Sequence, residues 1–191
     1  MSQSDNKIIK QIKGGDVAAY ATLVSKYQNM AFTLALSITK NREDAEEVAQ
    51  DAFVKAYKNL ASFKGKSKFS TWLYQIVHNT ALSKIRIKKH HTHPIDNLLE
   101  DRNIKLSESE NRNLERLDKK RILKEAIKKL NEDEGFIIIL YYYQELNIEE
   151  IAIATGYSES NVKVKLFRAR KNLYEKLQII MEGEARTLIQ N

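Results

Sequence analysis

The sequence predicts an all-α protein built as two small helical domains, and three observations carry that reading. Across 191 residues there are only six Gly and one Pro, so the two strongest helix breakers are scarce. Apolar residues recur every three to four positions over long stretches, the period of a helix with one buried face. Between those stretches lies a segment, His90 to Asp118, in which the period is lost.

Taken in order, Ile8, Ile9 and Ile12 make one apolar turn that Gly14-Gly15 ends, and Asp16 is placed to cap the next helix. From Val17 to Lys40 the apolar positions Tyr20, Leu23, Val24, Tyr27, Met30, Ala31, Leu34 and Ile38 form one helical stripe. Asn41 supplies a further N-cap, with Glu43 and Asp44 in the first turn, where the helix dipole favours acids. That helix is expected to bury Ala45, Val48, Ala49, Ala52, Phe53, Ala56, Tyr57 and Leu60. Its other face is divided, with Glu43, Glu46, Glu47, Gln50 and Asp51 first and Lys55 and Lys58 after. Helix electrostatics alone would favour that order, so a solvated face explains it as well as a docking face does.

Ala61 to Lys68 breaks the pattern around Gly65, and Ser67 or Ser70 is placed to cap a further helix. This helix turns Phe69, Trp72, Leu73, Ile76, Val77, Thr80, Ala81 and Ile85 inward and leaves Tyr74, Gln75, His78, Asn79 and Lys84 outside. Aromatic, amide and cationic groups without an acid are what stacking and hydrogen bonding to unpaired bases require. Between Asp51 and Asp96 there is no acidic residue, while that interval holds nine Lys or Arg, all four His and the only Trp. With a net charge of +7 and a pI near 9.4, this segregation points to a polyanionic partner.

The stretch from His90 to Asp118 holds the sole Pro and reads as a polar linker, with transient helix expected near Glu108 to Asp118. His90, His91 and His93 raise a metal reading. No carboxylate or Cys stands at ligand spacing, so a solvated basic turn is preferred and no metal or cofactor is expected. Beyond it, Ile122, Leu123, Ala126, Ile127 and Leu130 form a helix face ending at Asn131. Asp133 opens a second helix through Phe136, Ile137, Leu140 and Tyr141. Asn147 caps a short third, Ile148 to Ala154, and Gly156 makes the turn after it. Ser158 or Ser160 caps a fourth, which turns Val162, Leu166, Ala169, Leu173 and Leu177 inward. A short helix, a tight Gly turn and a longer basic helix are the pattern of a helix-turn-helix. Gln178 to Asn191 is expected to fray.

Several classes are excluded. There is no Cys, hence no disulfide framework or thiol nucleophile, and no Ser stands in a Gly-x-Ser-x-Gly turn. The loop FKGKSKFS has one Gly and lacks phosphate-loop spacing. Paired acids such as Glu46-Glu47, Asp133-Glu134 and Glu149-Glu150 fall on polar helix faces, so an enzyme is not expected. The most apolar window, Phe136 to Tyr143, is too short to span a bilayer, and the first residues lack a signal-peptide core. A soluble cytoplasmic protein without membrane insertion is the expectation.

The stretches KGGDVAAYATLVSKYQNMAF, NREDAEEVAQDAFVKAYKNLASFKGKSKFSTWLYQIVHNTALSKIR and LNIEEIAIATGYSESNVKVKLFRARKNL resemble a bacterial RNA polymerase sigma factor of the extracytoplasmic-function (ECF) group. The likeness covers Lys10 to Arg86 and Ile122 to Leu177, and the middle stretch is the most diagnostic. It implies a region-two-like domain at 1–89, a linker at 90–118, a region-four-like domain at 119–180 and a tail at 181–191. It also implies core polymerase (β′ clamp helices and β subunit) and promoter DNA as partners, with an anti-sigma factor as a further one.

By resemblance, Glu46, Glu47, Gln50, Asp51, Val54, Lys55 and Lys58 become polymerase-docking candidates. The loop Phe63, Lys64, Gly65, Lys66, Ser67 and Lys68, with Trp72, Gln75, His78 and Asn79, becomes the candidate site for the melted −10 strand. Ser160, Asn161, Lys163, Val164, Lys165, Phe167, Arg168 and Arg170 would face the −35 major groove, with Lys171 on phosphate. Three departures stand out. Lys66 and Lys68 replace the acidic or small residues common in the loop, and Leu130-Asn131 stands where Leu-Pro is usual. Gly135 occupies a position where Arg is common, and is expected to cost the helix ~1 kcal/mol relative to Ala and to mark a mobile edge. A stand-alone helix-turn-helix regulator and an RNA-binding adaptor are the alternatives, and the acidic half of the Asn41–Leu60 helix speaks for polymerase docking.

Overall fold

The computed structural model describes residues 3–91 and 114–189. Its helices are α1 (Gln3–Lys13), α2 (Tyr20–Thr39), α3 (Arg42–Asn59), α4 (Phe69–His91), α5 (Leu114–Lys128), α6 (Glu132–Tyr142), α7 (Ile148–Thr155) and α8 (Glu159–Ile189). Single 3-10 turns at Val17–Ala19 and Leu60–Ser62 complete the described elements, among which there is no strand.

Local chemistry sets most of the boundaries. Asp16 accepts from the Ala19 amide, and Asn41 accepts from the Asp44 amide at 2.9 Å to start α3. Asn131 and Asn147 each form a full capping box, with Glu134 and Glu150 reaching back to the cap amide. The departure at Asn131 therefore replaces one helix starter with another. α2 ends at Lys40 and α7 at Gly156, both left-handed, with φ of 56° and 75°. The Ser158 hydroxyl accepts from the Asn161 amide at the head of α8.

The first module packs α2, α3 and α4 around Leu23, Leu34, Ile38, Val48, Ala52, Ala56, Leu73 and Val77, all essentially sealed from solvent. The Ala positions of α3 are buried in this core, as expected. Tyr57, expected inside, is 40% exposed and rests against the Tyr20 ring. α1 seals one end with Ile9 and Ile12, and its buried Asp5 accepts from Tyr27 (2.6 Å) and pairs with Lys26. The second module packs α5 to α8 around Phe136, Ile137, Leu140, Ile151, Val162 and Ala169.

The two modules share one continuous core, with α4 against α7 and α2 against α6. Gly135 is at this junction. A Cβ there would lie 3.5 Å from the Ser37 carbonyl oxygen of α2 and 3.6 Å from the Lys40 Nζ. The mobile edge expected at Gly135 is instead buried, because only a small residue lets α6 approach the end of α2. Burial brings the Lys40 ammonium down to about 8, opposed by the attraction of Glu132 and Glu134 on α6.

Helix also reaches into both ends of the expected linker, since α4 runs to His91 and α5 starts at Leu114. His93 and the rest of 92–113 lie outside the described residues. The frayed tail is likewise replaced by a continuous 31-residue α8 to Ile189. Ser70 lies inside α4 rather than capping it, and the Lys68 carbonyl takes the first bond, from Trp72.

Two substitutions at Gly135 separate packing from propensity. Gly135→Ala meets only ordinary contacts and is expected to raise the melting temperature through a helix gain of up to ~1 kcal/mol. Gly135→Arg cannot be housed against the Ser37 carbonyl. It is expected to part the modules while leaving their helicity intact, seen as a longer distance between fluorophores on α3 and α8 with unchanged far-UV circular dichroism.

Candidate nucleic-acid interface

The polymerase-docking candidates of α3 share one open face: Glu46, Glu47, Gln50, Asp51, Val54, Lys55 and Lys58 are all exposed. Part of this face is already engaged from within. Lys84 on α4 donates to Glu47 at 2.6 Å, which raises its pKa, and Lys88 pairs with Asp44 at 2.7 Å. Arg42 bonds Glu46 one turn on, and Lys55 donates to the Thr80 hydroxyl at 3.1 Å. Lys84, which the sequence pattern groups with the base-binding side of α4, thus serves the acids of α3.

The loop between α3 and α4 presents Lys64, Lys66 and Lys68 outward around Gly65, whose φ of 70° lies in the left-handed region that favours glycine. Phe63 is different. Its ring is buried, 5.0 Å from Trp72 and edge-on to Phe69, so it roots the loop rather than offering a surface to a base. Trp72 is half-buried in the same cluster, between the two roles the sequence left open. Ser67 and Gln75 are half-buried, and Asn79 is exposed.

The larger surprise is the far side of α4. Tyr74 and His78, expected to face solvent, are 1% exposed each. Tyr74 donates to Gln144 at 2.6 Å, and His78 stacks 4.6 Å from Phe136 with its Nε2 3.7 Å from the Asp133 carboxylate. Lys68 pairs with Glu150 of α7 at 2.8 Å. Helical period marks these residues as outside the first module's stripe; it cannot show that a second module covers them.

Asp133 joins the two sides. Tyr157 donates to both its oxygens at 2.9 Å and Lys165 to one at 2.6 Å, with His78 beyond. These neighbours, His78 foremost and then Lys165 and Tyr157, hold its carboxyl well below the usual range against the opposing effect of burial. Burial and the same carboxylate push the Tyr157 hydroxyl up. Lys165 is therefore drawn inward, over the Tyr157 ring, and away from the groove-facing set. Arg170 bonds the Tyr142 hydroxyl at 2.9 Å and covers the Tyr141 ring while staying exposed. Ser160, Asn161, Lys163, Val164, Phe167, Arg168 and Lys171 remain exposed, with Phe167 at 70%. An exposed helix of this kind, held behind the short α7 by the Gly156 turn, is what entry into a major groove requires.

This arrangement matches a known family. Residues 23–91 match the family model for Sigma-70 region 2, and residues 120–173 that for Sigma-70, region 4. The RNA polymerase sigma-H factor of Pseudomonas aeruginosa is 30% identical, over 94% of this chain and 96% of its own. The ECF RNA polymerase sigma-E factor of Haemophilus influenzae is 32% identical over 93% of this chain and 97% of its own. The chain belongs to the sigma-70 family, in its ECF group.

The sigma factor is also similar in fold to two solved structures. CnrH in complex with the cytosolic domain of CnrY matches with a TM-score of 0.65 at 23% identity, over 93% of this chain and 99% of that one. RpoE in complex with the anti-sigma factor NepR from Bartonella quintana matches with a TM-score of 0.66 at 22% identity, over 84% and 97%. No described helix of the sigma factor is long and apolar enough to cross a membrane.

The Asp133 cluster yields a signed prediction. A carboxyl whose folded value is depressed adds stability above its ordinary value and loses it as the pH falls toward the folded one. Asp133→Asn is expected to lower stability by about 2 kcal/mol at neutral pH. The gap between the two proteins should narrow as the pH drops below about 4. Thermal melts of both across that range check the sign.

Proposed function

We propose that this sigma factor docks on core RNA polymerase through α3, reads −35 duplex DNA with the exposed face of α8, and captures the melted −10 strand with the α3–α4 loop and the Asn79 side of α4. The role is recruitment and positioning rather than catalysis, so the factor is non-enzymatic. The observation that carries the reading is the division of exposed surface. The α3 face, the lysine loop and one face of α8 are three separate exposed sets on one two-module chain, and both modules match sigma regions.

The polymerase contact is assigned to the β′ clamp helices for the Glu46–Lys58 face, with the β subunit near the second module. Ser160, Asn161, Lys163, Val164, Phe167, Arg168 and Arg170 are the −35 set, with Lys171 on phosphate; Lys165 is held on Asp133 behind them. At −10, Lys64, Gly65, Lys66, Ser67 and Lys68 line the loop. Gln75 and Asn79 provide amides, and Phe63 and Trp72 brace the base of the loop. The working units are 1–89 and 119–180.

Strand capture by Lys68 then competes with its pairing to Glu150 of α7. Extruding a base costs a few kcal/mol, which stacking of roughly 1–3 kcal/mol per base can offset. Tethering to polymerase raises the effective concentration of each module at its half of the promoter. An anti-sigma partner is supported by the RpoE–NepR likeness and would act on either module.

The test is a pull-down with core polymerase followed by runoff transcription from DNA selected by the reconstituted holoenzyme. Core binding and promoter-dependent transcripts are expected; duplex binding without core binding would instead favour a stand-alone regulator. Arg168→Ala should weaken −35 duplex binding by about 1–3 kcal/mol while core affinity holds, read by fluorescence anisotropy. Asn79→Ala should slow opening without weakening −35 binding, seen by permanganate reactivity of unpaired thymines. Phe63→Ala does not serve this purpose, since removing a buried ring costs about 3–5 kcal/mol of fold stability.

A further inference from the structure

We propose that Lys13 is a positioning residue for the −10 loop, which makes α1 part of the promoter-melting apparatus although it lies before the region-2 match at residue 23. This rests on the reading of the loop as the −10 site. Lys13 is the last residue of α1, and its Nζ donates to the Phe63 carbonyl at 2.8 Å and contacts the Ala61 carbonyl at 3.4 Å. Both carbonyls belong to the end of the 3-10 turn Leu60–Ser62, where the chain leaves the helical path after α3. Carbonyls at such an end project without helical donors, and a cation there satisfies them and meets the negative end of the dipole.

The placement of Lys13 is itself secured. Ile9 and Ile12 anchor α1 in the core, and Gly14 and Gly15 (φ 104°) stop the helix immediately after it. The root of the loop is thus held twice. Phe63 has its ring clamped between Trp72 and Phe69, and its carbonyl is held by an ammonium fifty residues earlier in the chain. The need for anchoring comes from the loop's composition. Lys64, Lys66 and Lys68 repel one another within five residues, and Gly65 adds no stiffness of its own. A base pocket must be held to within fractions of an ångström to select its base.

The experiment compares Lys13→Met and Lys13→Arg in the full chain, assembled with core polymerase. Its DNA is a promoter fragment recovered by the wild-type holoenzyme from a randomised pool and labelled with 2-aminopurine in the −10 segment. Lys13→Met is expected to slow opening about ten-fold, the low end of the effect of one charged hydrogen bond, and Lys13→Arg to restore most of the rate. In the free chain, amide hydrogen exchange across residues 63–68 should quicken in Lys13→Met and not in Lys13→Arg, with the α2–α4 core unchanged. If Lys13→Met opens at the wild-type rate while Asn79→Ala is slow, the loop reading stands and the positioning role is wrong. If Lys13→Met instead reduces the salt slope of promoter binding by about one, the ammonium touches phosphate directly, and positioning is again overturned. If neither Lys13→Met nor Asn79→Ala alters opening, the −10 assignment fails and takes this inference with it.

Discussion

Everything in this fold turns on α4 being packed from two sides. One side supplies Leu73, Val77 and Ala81 to the core of the first module. The other carries Tyr74 and His78 into the second, where Gln144, Phe136 and Asp133 receive them. A helix buried on both sides has little surface left for solvent, so its remaining polar groups collect at its ends and along the Gln75–Asn79 edge. The small size of Gly135 and the twin capping boxes of α6 and α7 are the local conditions for that approach. The closed arrangement and the proposed strand-binding surface therefore both use Lys68.

Charge obeys the same logic of partial internal use. The acid-free interval after Asp51 looks in sequence like unspent positive charge awaiting a polyanion. Folding brings its far end back on the acids that precede it, as Lys84 meets Glu47 and Lys88 meets Asp44. Such exposed pairs contribute little to stability, a few tenths of a kcal/mol each, and salt weakens them. The loop lysines stand apart from these pairs, beside the aromatic cluster of Phe63, Phe69 and Trp72, with Lys64 and Lys66 exposed and Lys68 paired to Glu150. Asp133 plays the corresponding part in the second module. It draws Lys165 inward and so trims the cationic face of α8 to the residues that remain exposed.

Much of this is legible in residue order. Helix starts are readable because Asn41, Asn131 and Asn147 act on amides only three residues away, and helix stops because Lys40, Gly156 and the Gly14-Gly15 pair act locally too. The helix-turn-helix and the open face of α3 need only the 3.6-residue period. The differences between expectation and fold share one cause. Period and resemblance together put Tyr74 and His78 outside and offer Phe63 to a base. They also turn Lys165 to the groove and leave Gly135 loose. In each case the deciding partner lies far along the chain or on a separate helix.

Sequence alone therefore determined the class, the helices, their caps and the two-module plan, because those depend on interactions within a few residues and on the polarity of one face. Tertiary structure decided which faces stay open. Burial of a face depends on what packs against it, and no period along one helix encodes the identity of a neighbour seventy residues away. The ties of Tyr74 to Gln144, His78 to Asp133 and Lys13 to Phe63 exist only in the folded chain. They are what turn two legible helical modules into one arrangement with a particular set of exposed residues.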